Sequence, residues 1–341
     1  AVDFLFFGTP CQIHINTKDR LCMKDAGNQQ VADGWTRLSQ RNVMDNTLRE
    51  CLALRDTLAL CDWAYLNLLD TFAKTVYGAS NEATMLAAFL YCQSGYQMRI
   101  GRYGGKLSLL FASEHRIYGV PFFTIGNSCY YPFNLSDRQL EICDAPYPQE
   151  RPLSLSMPYA QRFKYEVTPL RLLVSRKYPD VKVEVQVNKN LLDFYDTYPV
   201  SEVENNFMMK WAVYANAPLD IKLKESLYPA LSKAIDGLEE LEAANKLLDW
   251  VQTAFVYEYD EKVWGGDRAF FAEETLYYPY CDCEDRAILF TRLIRDLLGL
   301  KTALVYYPGH LACAVCFHEN VKGDYLTFGN ERFVIADPTY I

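Results

Sequence analysis

Two hydrophobic periods occur along the chain, and they predict different secondary structures. Apolar residues recur at helical spacing in four segments, which are residues 38–60, 63–76, 82–94 and 238–257. Between these segments apolar residues alternate with polar ones, most regularly from Val181 to Val187, and this pattern predicts half-buried antiparallel strands. Shorter strand patterns are found within residues 2–16 and 98–133.

The stretch around Cys283 predicts one further helix. Its apolar residues recur at helical spacing, at Ala287, Phe290, Ile294 and Leu297. Gly299 follows, and glycine is common just past a helix end. Cys283 is therefore expected in the first turn, where the partial positive charge and free N–H groups of a helix favour a thiolate. These features predict a nucleophilic thiol of lowered pKa beside donors for an oxyanion.

Strand patterns follow this helix at residues 302–307, 310–317, 325–328 and 332–336. Helices followed by antiparallel strands predict an α+β fold. We expect three domains: an α+β domain over residues 1–137, a β-rich domain over 138–218 and an α+β domain over 219–341 that carries the chemistry.

Composition narrows the possible functions. The chain has 341 residues and a net charge of −9 without a basic stripe, which argues against nucleic-acid binding. No apolar run reaches the length of a membrane span. The eleven cysteines have no framework spacing, so we expect mostly buried thiols. Because the chain begins at Ala1, we expect an exported protein of the periplasm or cell envelope, with a trimmed chain as the alternative.

Three side chains stand at the ends of predicted elements in a suggestive order. Cys283 begins a helix, His310 begins a strand, and Asp337 ends the last strand. Neighbouring antiparallel strands can bring His310 beside Asp337, and packing that sheet on the helix end can bring His310 to Cys283. A nucleophile, a base and a carboxylate that orients the base are what acyl transfer through a thioester requires.

The same stretch resembles the transglutaminase-like superfamily. The matching motifs are Cys283-Glu284-Asp285-Arg286-Ala287, Gly299, Gly309-His310 and Asp337-Pro338-Thr339, preceded by a helix that contains Leu248-Asp249-Trp250-Val251. The resemblance covers residues 238–341. It implies a papain-like core with Cys283 as nucleophile, His310 as general base and Asp337 as its orienting group. His310 is followed by Leu311-Ala312 where many members have Ala-Trp, so the acyl pocket is expected to differ.

The residues on either side of Cys283 are acidic. The segment is also similar to bacterial transglutaminase-like cysteine proteinases, some of which bind calcium through acids at the positions of Asp282 and Glu284. The alternative is that these carboxylates simply complement the helix dipole. We favour the alternative because a hard cation requires several oxygen ligands. No metal or other cofactor is therefore expected.

The residues and the resemblance together predict a cysteine peptidase or amidase that acts on a protein or peptide substrate. Attack by Cys283 on an amide would give a thioester, which water would hydrolyse. If a lysine amine replaced water, the protein would instead be a cross-linking transglutaminase. A non-catalytic binding protein that keeps the fold is the third alternative.

The N-terminal third repeats the order of elements around Cys283. A shift of 204 positions places Ala79 on Cys283 and Gly95 on Gly299, with His115 expected roughly in the place of His310. This order suggests a degenerate second copy of the core, without a thiol, that serves as a scaffold or in substrate recognition. The alternative is that a helix, a glycine and strands form a common arrangement. A different order or direction of the strands in the two copies would refute a duplication.

Overall fold

The computed structural model describes residues 1–16, 18, 20–134, 139–143, 145, 147, 151–203 and 205–340. The fold is α+β with antiparallel sheets, as predicted. The helices are α1 (Asn28–Leu38), α2 (Asp45–Thr57), α3 (Asp62–Tyr77), α4 (Asn81–Gln93), α5 (Lys189–Tyr195), α6 (Lys210–Asn216), α7 (Ile221–Ile235), α8 (Glu240–Ala254), α9 (Asp260–Val263), α10 (Ala272–Tyr277) and α11 (Cys283–Leu293). In the part of the chain described, no helix is both long enough and apolar enough to span a bilayer.

The strands are numbered β1 to β17 in chain order. They are β1 (Val2–Phe6), β2 (Thr9–Ile13), β3 (Met98–Tyr103), β4 (Lys106–Ala112), β5 (Arg116–Ile117), β6 (Phe123–Ile125), β7 (Ser128–Phe133), β8 (Glu141–Ile142), β9 (Arg171–Val174), β10 (Lys182–Val185), β11 (Ser201–Glu202), β12 (Val256–Tyr257), β13 (Tyr280–Cys281), β14 (Lys301–Tyr307), β15 (His310–Cys316), β16 (Tyr325–Phe328) and β17 (Glu331–Ala336).

The chain forms two compact units. The first, called the N-terminal unit, contains Ala1–Lys164 and Thr197–Phe207. The second, called the C-terminal unit, contains Tyr165–Asp196 and Met208–Ile341. Each unit has its own sheet and its own helices.

This division differs from the three expected domains, 1–137, 138–218 and 219–341, because the segment 138–218 is shared between the two units. The expected boundary at residues 137 and 138 lies outside the described residues.

The period-two pattern of the middle region produces fewer strands than we expected. Among its described residues, only β9 and β10 pair with each other, as a two-stranded antiparallel ladder with Val183 opposite Leu173, whereas β8 and β11 pair with strands outside the region. Leu153, Leu155 and Met157 are buried, yet only an isolated bridge involves this stretch. An extended chain with one face buried produces the same alternation as a strand, so the pattern alone does not distinguish the two.

The helical predictions are largely confirmed. The segments 63–76, 82–94 and 238–257 correspond to α3, α4 and α8. The segment 38–60 instead holds the last residue of α1 and then α2, because Asn42 between them has φ of 65°, a left-handed conformation that a right-handed helix cannot contain. Helix α11 continues into a π-helical turn, Ile294–Leu298, which ends at Gly299 with φ of 64°.

Helix α11 is the central element of the C-terminal unit. It packs against β15 and α8, and its apolar face is completely buried at Leu289, Phe290 and Leu293. The sheet on that face has the order β14-β15-β17-β16, and all of its pairs are antiparallel. The first residue of α11 and the first residue of β15 therefore belong to two elements in direct contact.

The N-terminal unit uses the same arrangement. Helix α4 packs against α3 and β4, and the sheet has the order β6-β7-β4-β3-β8. Read from β3, the order β3-β4-β7-β6 matches β14-β15-β17-β16, again with antiparallel pairs throughout. Strand β8 is an addition at the outer edge of β3. The two sheets thus have the same strand order and the same strand directions, as a duplication of one core requires.

The expected position of His115 in this comparison is wrong. Strand β4 begins at Lys106, so Lys106 takes the place that His310 has at the start of β15. His115 lies beyond the end of β4 and is buried, where its Nδ1 accepts a hydrogen bond of 3.1 Å from the N–H of Leu155.

Candidate functional site

Asp282 and Asp285 fix the start of α11 and with it the position of Cys283. The Asp282 carboxylate accepts hydrogen bonds from the N–H groups of Glu284 at 3.1 Å and Asp285 at 3.4 Å. The Asp285 carboxylate in turn accepts one from the N–H of Asp282 at 3.0 Å. This reciprocal capping box satisfies donors that a helix leaves free, and it holds Cys283 as the first helical residue.

Asp285 also joins the helix to the irregular segment before it. Its Oδ1 atom accepts a hydrogen bond of 2.9 Å from the N–H of Phe270, and the side chain is completely buried. Burial, together with the negative charge of Asp282, raises the pKa of Asp285. The third residue of the Cys283-Glu284-Asp285 motif is therefore structural, holding two segments around the thiol.

The Cys283 thiol has a raised pKa, which differs from the sequence expectation. Burial raises it to about 11, and the neighbouring carboxylates of Asp282 and Glu284 act in the same direction. The backbone N–H of Leu311 faces the sulfur and opposes this shift. The helix start was expected to lower the pKa, but desolvation and flanking acids outweigh it. These effects favour the neutral thiol over the thiolate near neutral pH.

His310 and Asp337 form the expected pair. The His310 Nε2 atom lies 2.7 Å from Asp337 Oδ2. The other oxygen, Oδ1, accepts hydrogen bonds from the N–H groups of Thr339 at 2.9 Å and Tyr340 at 3.4 Å. An ionised carboxylate can only accept, so Nε2 carries the proton and Nδ1 is left with a free lone pair. The imidazole is thus set up as a base at Nδ1.

The sequence-predicted residues lie on adjoining elements. Cys283 begins α11, His310 begins β15, and the sulfur faces the N–H of Leu311, the residue directly after His310. Among the described residues no hydrogen bond joins the Cys283 sulfur to the His310 ring. The structure therefore contains the His310–Asp337 pair, with the thiol beside the strand that carries His310.

Gln252 is a residue that sequence reasoning missed. Its side-chain amide donates hydrogen bonds to the carbonyl oxygens of Asp337 at 2.7 Å and Tyr340 at 2.9 Å. The guanidinium of Arg286 holds the end of the same helix, donating to the carbonyls of Gln252 at 3.1 Å and Phe255 at 3.0 Å. Gln252 lies one position beyond the recognised Leu248–Val251 motif, and nothing in the hydrophobic pattern distinguishes it.

Tyr257 places a neutral hydroxyl beside the thiol. A tyrosine hydroxyl ordinarily keeps its proton at neutral pH, and burial together with the proximity of Cys283 raises the pKa of Tyr257 further. The Arg286 guanidinium lies over the Tyr257 ring, 5.3 Å from its centroid. Sequence reasoning assigned no role to the Tyr257 hydroxyl.

Three carboxylates converge next to the start of α11. One oxygen each of Asp260, Asp282 and Glu284 lies within 4.8 Å of the other two. Burial and mutual repulsion raise the pKa of Asp282 to about 6 and that of Glu284 to about 8, and burial also raises the pKa of Asp260. We call these three residues the acidic cluster.

The acidic cluster fits a hard cation. Glu284 Oε2 accepts a hydrogen bond of 2.7 Å from Trp211 Nε1, whereas the buried Oε1 atom has no hydrogen-bond partner among the residues that the structure describes. Carboxylate oxygens are the ligands that Ca²⁺ prefers. Sequence reasoning identified Asp282 and Glu284 but not Asp260, which comes from a different helix that folding brings to the site.

Cys281 differs from Cys283 although it is only two positions away. It lies in β13, is 3 % exposed, and has a pKa raised by burial to about 12. A thiol without access to solvent cannot reach a substrate. This environment argues against Cys281 as the nucleophile.

No protein-family model, curated protein or solved structure matches this chain.

Proposed function

We propose that the C-terminal unit is a transglutaminase-like cysteine peptidase or amidase that acts on peptide amide bonds through Cys283. The observation that carries the proposal is the hydrogen bond of 2.7 Å between His310 and Asp337, at the start of the strand whose Leu311 N–H faces the Cys283 sulfur. This hydrogen bond leaves the Nδ1 atom of His310 free to act as a base, and the strand that carries His310 lies beside the Cys283 thiol at the start of α11. A base next to a thiol is the combination that acyl transfer requires.

In the first half of the reaction the His310 Nδ1 atom removes the Cys283 thiol proton. The sulfur attacks the carbonyl carbon of a peptide amide and forms a C–S bond, and the carbonyl oxygen becomes negative. The C–N bond then breaks, and the proton on His310 moves to the leaving amine. The product of this half is a thioester on Cys283. Asp337 stabilises the transient imidazolium through Nε2.

In the second half water replaces the amine. His310 takes a proton from water, the oxygen attacks the thioester carbon, and the C–S bond breaks. The proton on His310 returns to the sulfur, so the carboxylic acid leaves and the thiol is restored. Protons and electron pairs balance over the cycle without any oxidant or reductant.

Two donors are suited to the negative oxygen. One is the backbone N–H of Cys283 at the start of α11, and the other is the Tyr257 hydroxyl, which burial keeps protonated. Donors that are already oriented towards the developing charge lower the barrier because they need no reorganisation. Tyr257 is therefore assigned to the oxyanion site.

A divalent cation would be held by Asp260, Asp282 and Glu284. Its positive charge would offset the carboxylates that flank Cys283 and so favour the thiolate. His310 and Asp337 keep the roles given above.

The test uses the full chain, peptide coumarylamides of varied sequence and a dansyl-labelled primary amine, with and without added Ca²⁺. Hydrolysis is expected, seen as coumarin release together with a free acid and a thioester adduct on Cys283 by mass spectrometry. The Cys283→Ala variant should lose all of these signals, and Cys281→Ser should keep them. Absence of both release and adduct from the wild-type chain would overturn the proposal and favour a binding protein.

The dansyl amine distinguishes the enzyme alternatives. A cross-linking transglutaminase would transfer the acyl group to the dansyl amine in preference to water. Free acid as the main product supports a peptidase or amidase, whereas a dansyl-labelled product supports transfer.

A further inference from the structure

The hairpins β3–β4 and β14–β15 match residue for residue. Tyr103 faces Lys106 across the first turn, and Tyr307 faces His310 across the second. The residue before each of Lys106 and His310 is a glycine, with φ of 77° and 72° respectively. One offset of 204 positions relates the two hairpins. Lys106 thus stands where His310 stands.

The next pair of strands continues the match. In the N-terminal unit Leu109 faces Phe133, and in the C-terminal unit Cys313 faces Ala336. Leu109 and Cys313 are related by the same offset of 204, so their partners Phe133 and Ala336 are equivalent positions. The residue after each partner is then equivalent as well.

By this register Asn134 takes the place of Asp337. The expected match of Ala79 with Cys283 is wrong, because α4 begins at Asn81 as α11 begins at Cys283. The Asn81 side-chain oxygen accepts a hydrogen bond of 2.9 Å from the N–H of Leu107, the residue that corresponds to Leu311, so Asn81 takes the place of Cys283. The N-terminal unit therefore carries asparagine, lysine and asparagine where the C-terminal unit carries cysteine, histidine and aspartate.

These three positions meet at one cavity. Asn81, Lys106 and Asn134 all line a pocket of about 290 Å³ in the N-terminal unit. Strand register and cavity lining are separate observations, and both select the same residues. The site of the proposed chemistry in one unit thus corresponds to an open pocket in the other.

The charge in this pocket differs from that of the proposed catalytic site. Lys74 on its wall is paired with Asp70, with 2.8 Å between Nζ and Oδ2. Within the described residues the ammonium group of Lys106 makes no ion pair. Asn134 is neutral, whereas an aspartate there would supply Lys106 with a partner. The lining is therefore left with one uncompensated positive charge.

We propose that the N-terminal unit is a duplicate of the C-terminal core whose former active site has become a binding pocket for a peptide carboxylate. Asn81 removes the sulfur, and its amide is held by hydrogen bonds with the N–H of Leu107 and the carbonyl of Gly105. Lys106 replaces a group that transfers protons with an ammonium cation. Asn134 does not supply that cation with a carboxylate partner, so in the part of the chain described it is open to a ligand, and an ammonium–carboxylate contact is a strong charge-assisted hydrogen bond.

The choice of a carboxylate rests in part on the proposed function, because hydrolysis in the C-terminal unit would release a peptide acid. The carboxylate could be the C-terminus of a peptide or the side chain of an aspartate or glutamate. Both present the same group to Lys106. The experiment therefore includes both.

The experiment uses the full chain with Cys283→Ala, so that no turnover interferes and failure of the enzyme proposal leaves this test intact. Three probes are titrated by calorimetry to about 10 mM, a range that detects weak binding. They are acetyl-Ala-Ala with a free carboxylate, the same peptide as an amide, and acetyl-Ala-Glu amide. We expect one or both of the acids to bind and the Ala-Ala amide not to bind.

Three variants at the pocket and one control elsewhere decide the site. Lys106→Gln should weaken binding about tenfold or more, whereas Lys106→Arg should retain it. Asn134→Asp should weaken binding as well, because the new carboxylate competes for Lys106. The control is Lys189→Gln in the C-terminal unit, whose lysine forms an ion pair with the exposed Asp193. It should change nothing.

Two sets of results would overturn the proposal. One is that neither acid binds to the Cys283→Ala chain, or that the amide binds equally well. The other is that binding is unaffected by both Lys106→Gln and Asn134→Asp. A thermal melt of each variant verifies folding, and the Lys106→Arg and Asn134→Asp variants keep the test decisive if Lys106→Gln is unstable.

Discussion

The His310 ring and the Asp337 carboxylate are joined through Nε2 and Oδ2 at 2.7 Å, and this contact decides which ring nitrogen can act as a base. Asp337 is held in turn through its other oxygen by the N–H of Thr339, and through its carbonyl by the Gln252 amide. The orientation of the imidazole therefore depends on α8, an element that precedes it by more than fifty residues.

Replacing Asp337 by asparagine should lower kcat by about 10²–10⁴. An amide can donate to Nε2, which favours the tautomer with the proton on Nδ1 and removes the base. KM and the melting temperature should change little, because the side chains have the same shape. Steady-state kinetics on a coumarylamide substrate measure the effect.

Asp324→Asn is a suitable control for this change, since Asp324 is an exposed acid directly before strand β16 of the same sheet. Its activity should equal that of the wild type. Full activity in Asp337→Asn would exclude Asp337 from the mechanism.

Gln252→Ala should lower kcat about tenfold while KM stays nearly constant. The variant loses both hydrogen bonds that fix the 337–340 segment, so the imidazole is less well oriented, but no group that contacts substrate is removed. Gln252→Glu is a second variant, in which the side chain keeps its size but the carboxylate cannot donate hydrogen bonds to the two carbonyls. Its kcat should fall as much as that of Gln252→Ala. Unchanged kcat in both variants would show that the segment is held without Gln252.

Sequence reasoning predicted the helices and strands better than the side-chain contacts between them. Cys283 at the start of a helix, His310 at the start of a strand and Gly299 at a helix end are all observed, since each depends on local periodicity and glycine conformation. The pairing of His310 with Asp337 was also expected, because adjacent antiparallel strands leave few alternatives for two residues at their ends.

Features that depend on packing were not predictable in this way. The raised pKa of Cys283 follows from its burial, which no spacing reveals. Asp260 joins the acidic cluster from another helix, and Gln252 acts across space on a segment far along the chain. The membership of the chain in the transglutaminase-like superfamily stays a prediction.

The stability of the protein should fall as pH rises from about 5 to about 8. Burial raises the pKa of Glu273 and Glu274 to about 7 and that of Glu284 to about 8. Each folded-state pKa exceeds the ordinary value of glutamate, so the folded chain binds more protons than the unfolded chain in this range. Raising the pH therefore favours unfolding, and we expect a decrease in Tm of roughly 5 °C by calorimetry.

Glu284→Gln is the matched variant for this pH dependence. Glutamine keeps an acceptor for Trp211 Nε1 but carries no charge, so the decrease in Tm should be smaller than in the wild type. A Tm that rises between pH 5 and 8 would contradict the assignment of these groups as buried acids with raised pKa values.

Calcium should bind more tightly at pH 8 than at pH 6, since the ligands must be deprotonated and the pKa of Glu284 is about 8. At saturating Ca²⁺ we expect Tm at pH 8 to rise and the pH-dependent decrease to diminish. Asp260→Asn should remove most of this response, and Asp324→Asn, which changes an exposed acid that is not part of the cluster, should keep it. An identical response in both variants would place the ion elsewhere.

Alkylation by iodoacetamide tests whether Cys283 rests as a neutral thiol. Its pKa is raised to about 11, whereas Cys22 is exposed, so near pH 7 Cys22 should react first. Added Ca²⁺ at pH 8 should accelerate the reaction of Cys283 by lowering its pKa, and Cys22 provides the internal reference because it is distant in sequence from the acidic cluster. Peptide mapping by mass spectrometry gives both rates from one sample. Rapid and selective labelling of Cys283 at pH 6 without Ca²⁺ would instead indicate a thiolate–imidazolium pair, and the first proton transfer to His310 would then precede substrate binding.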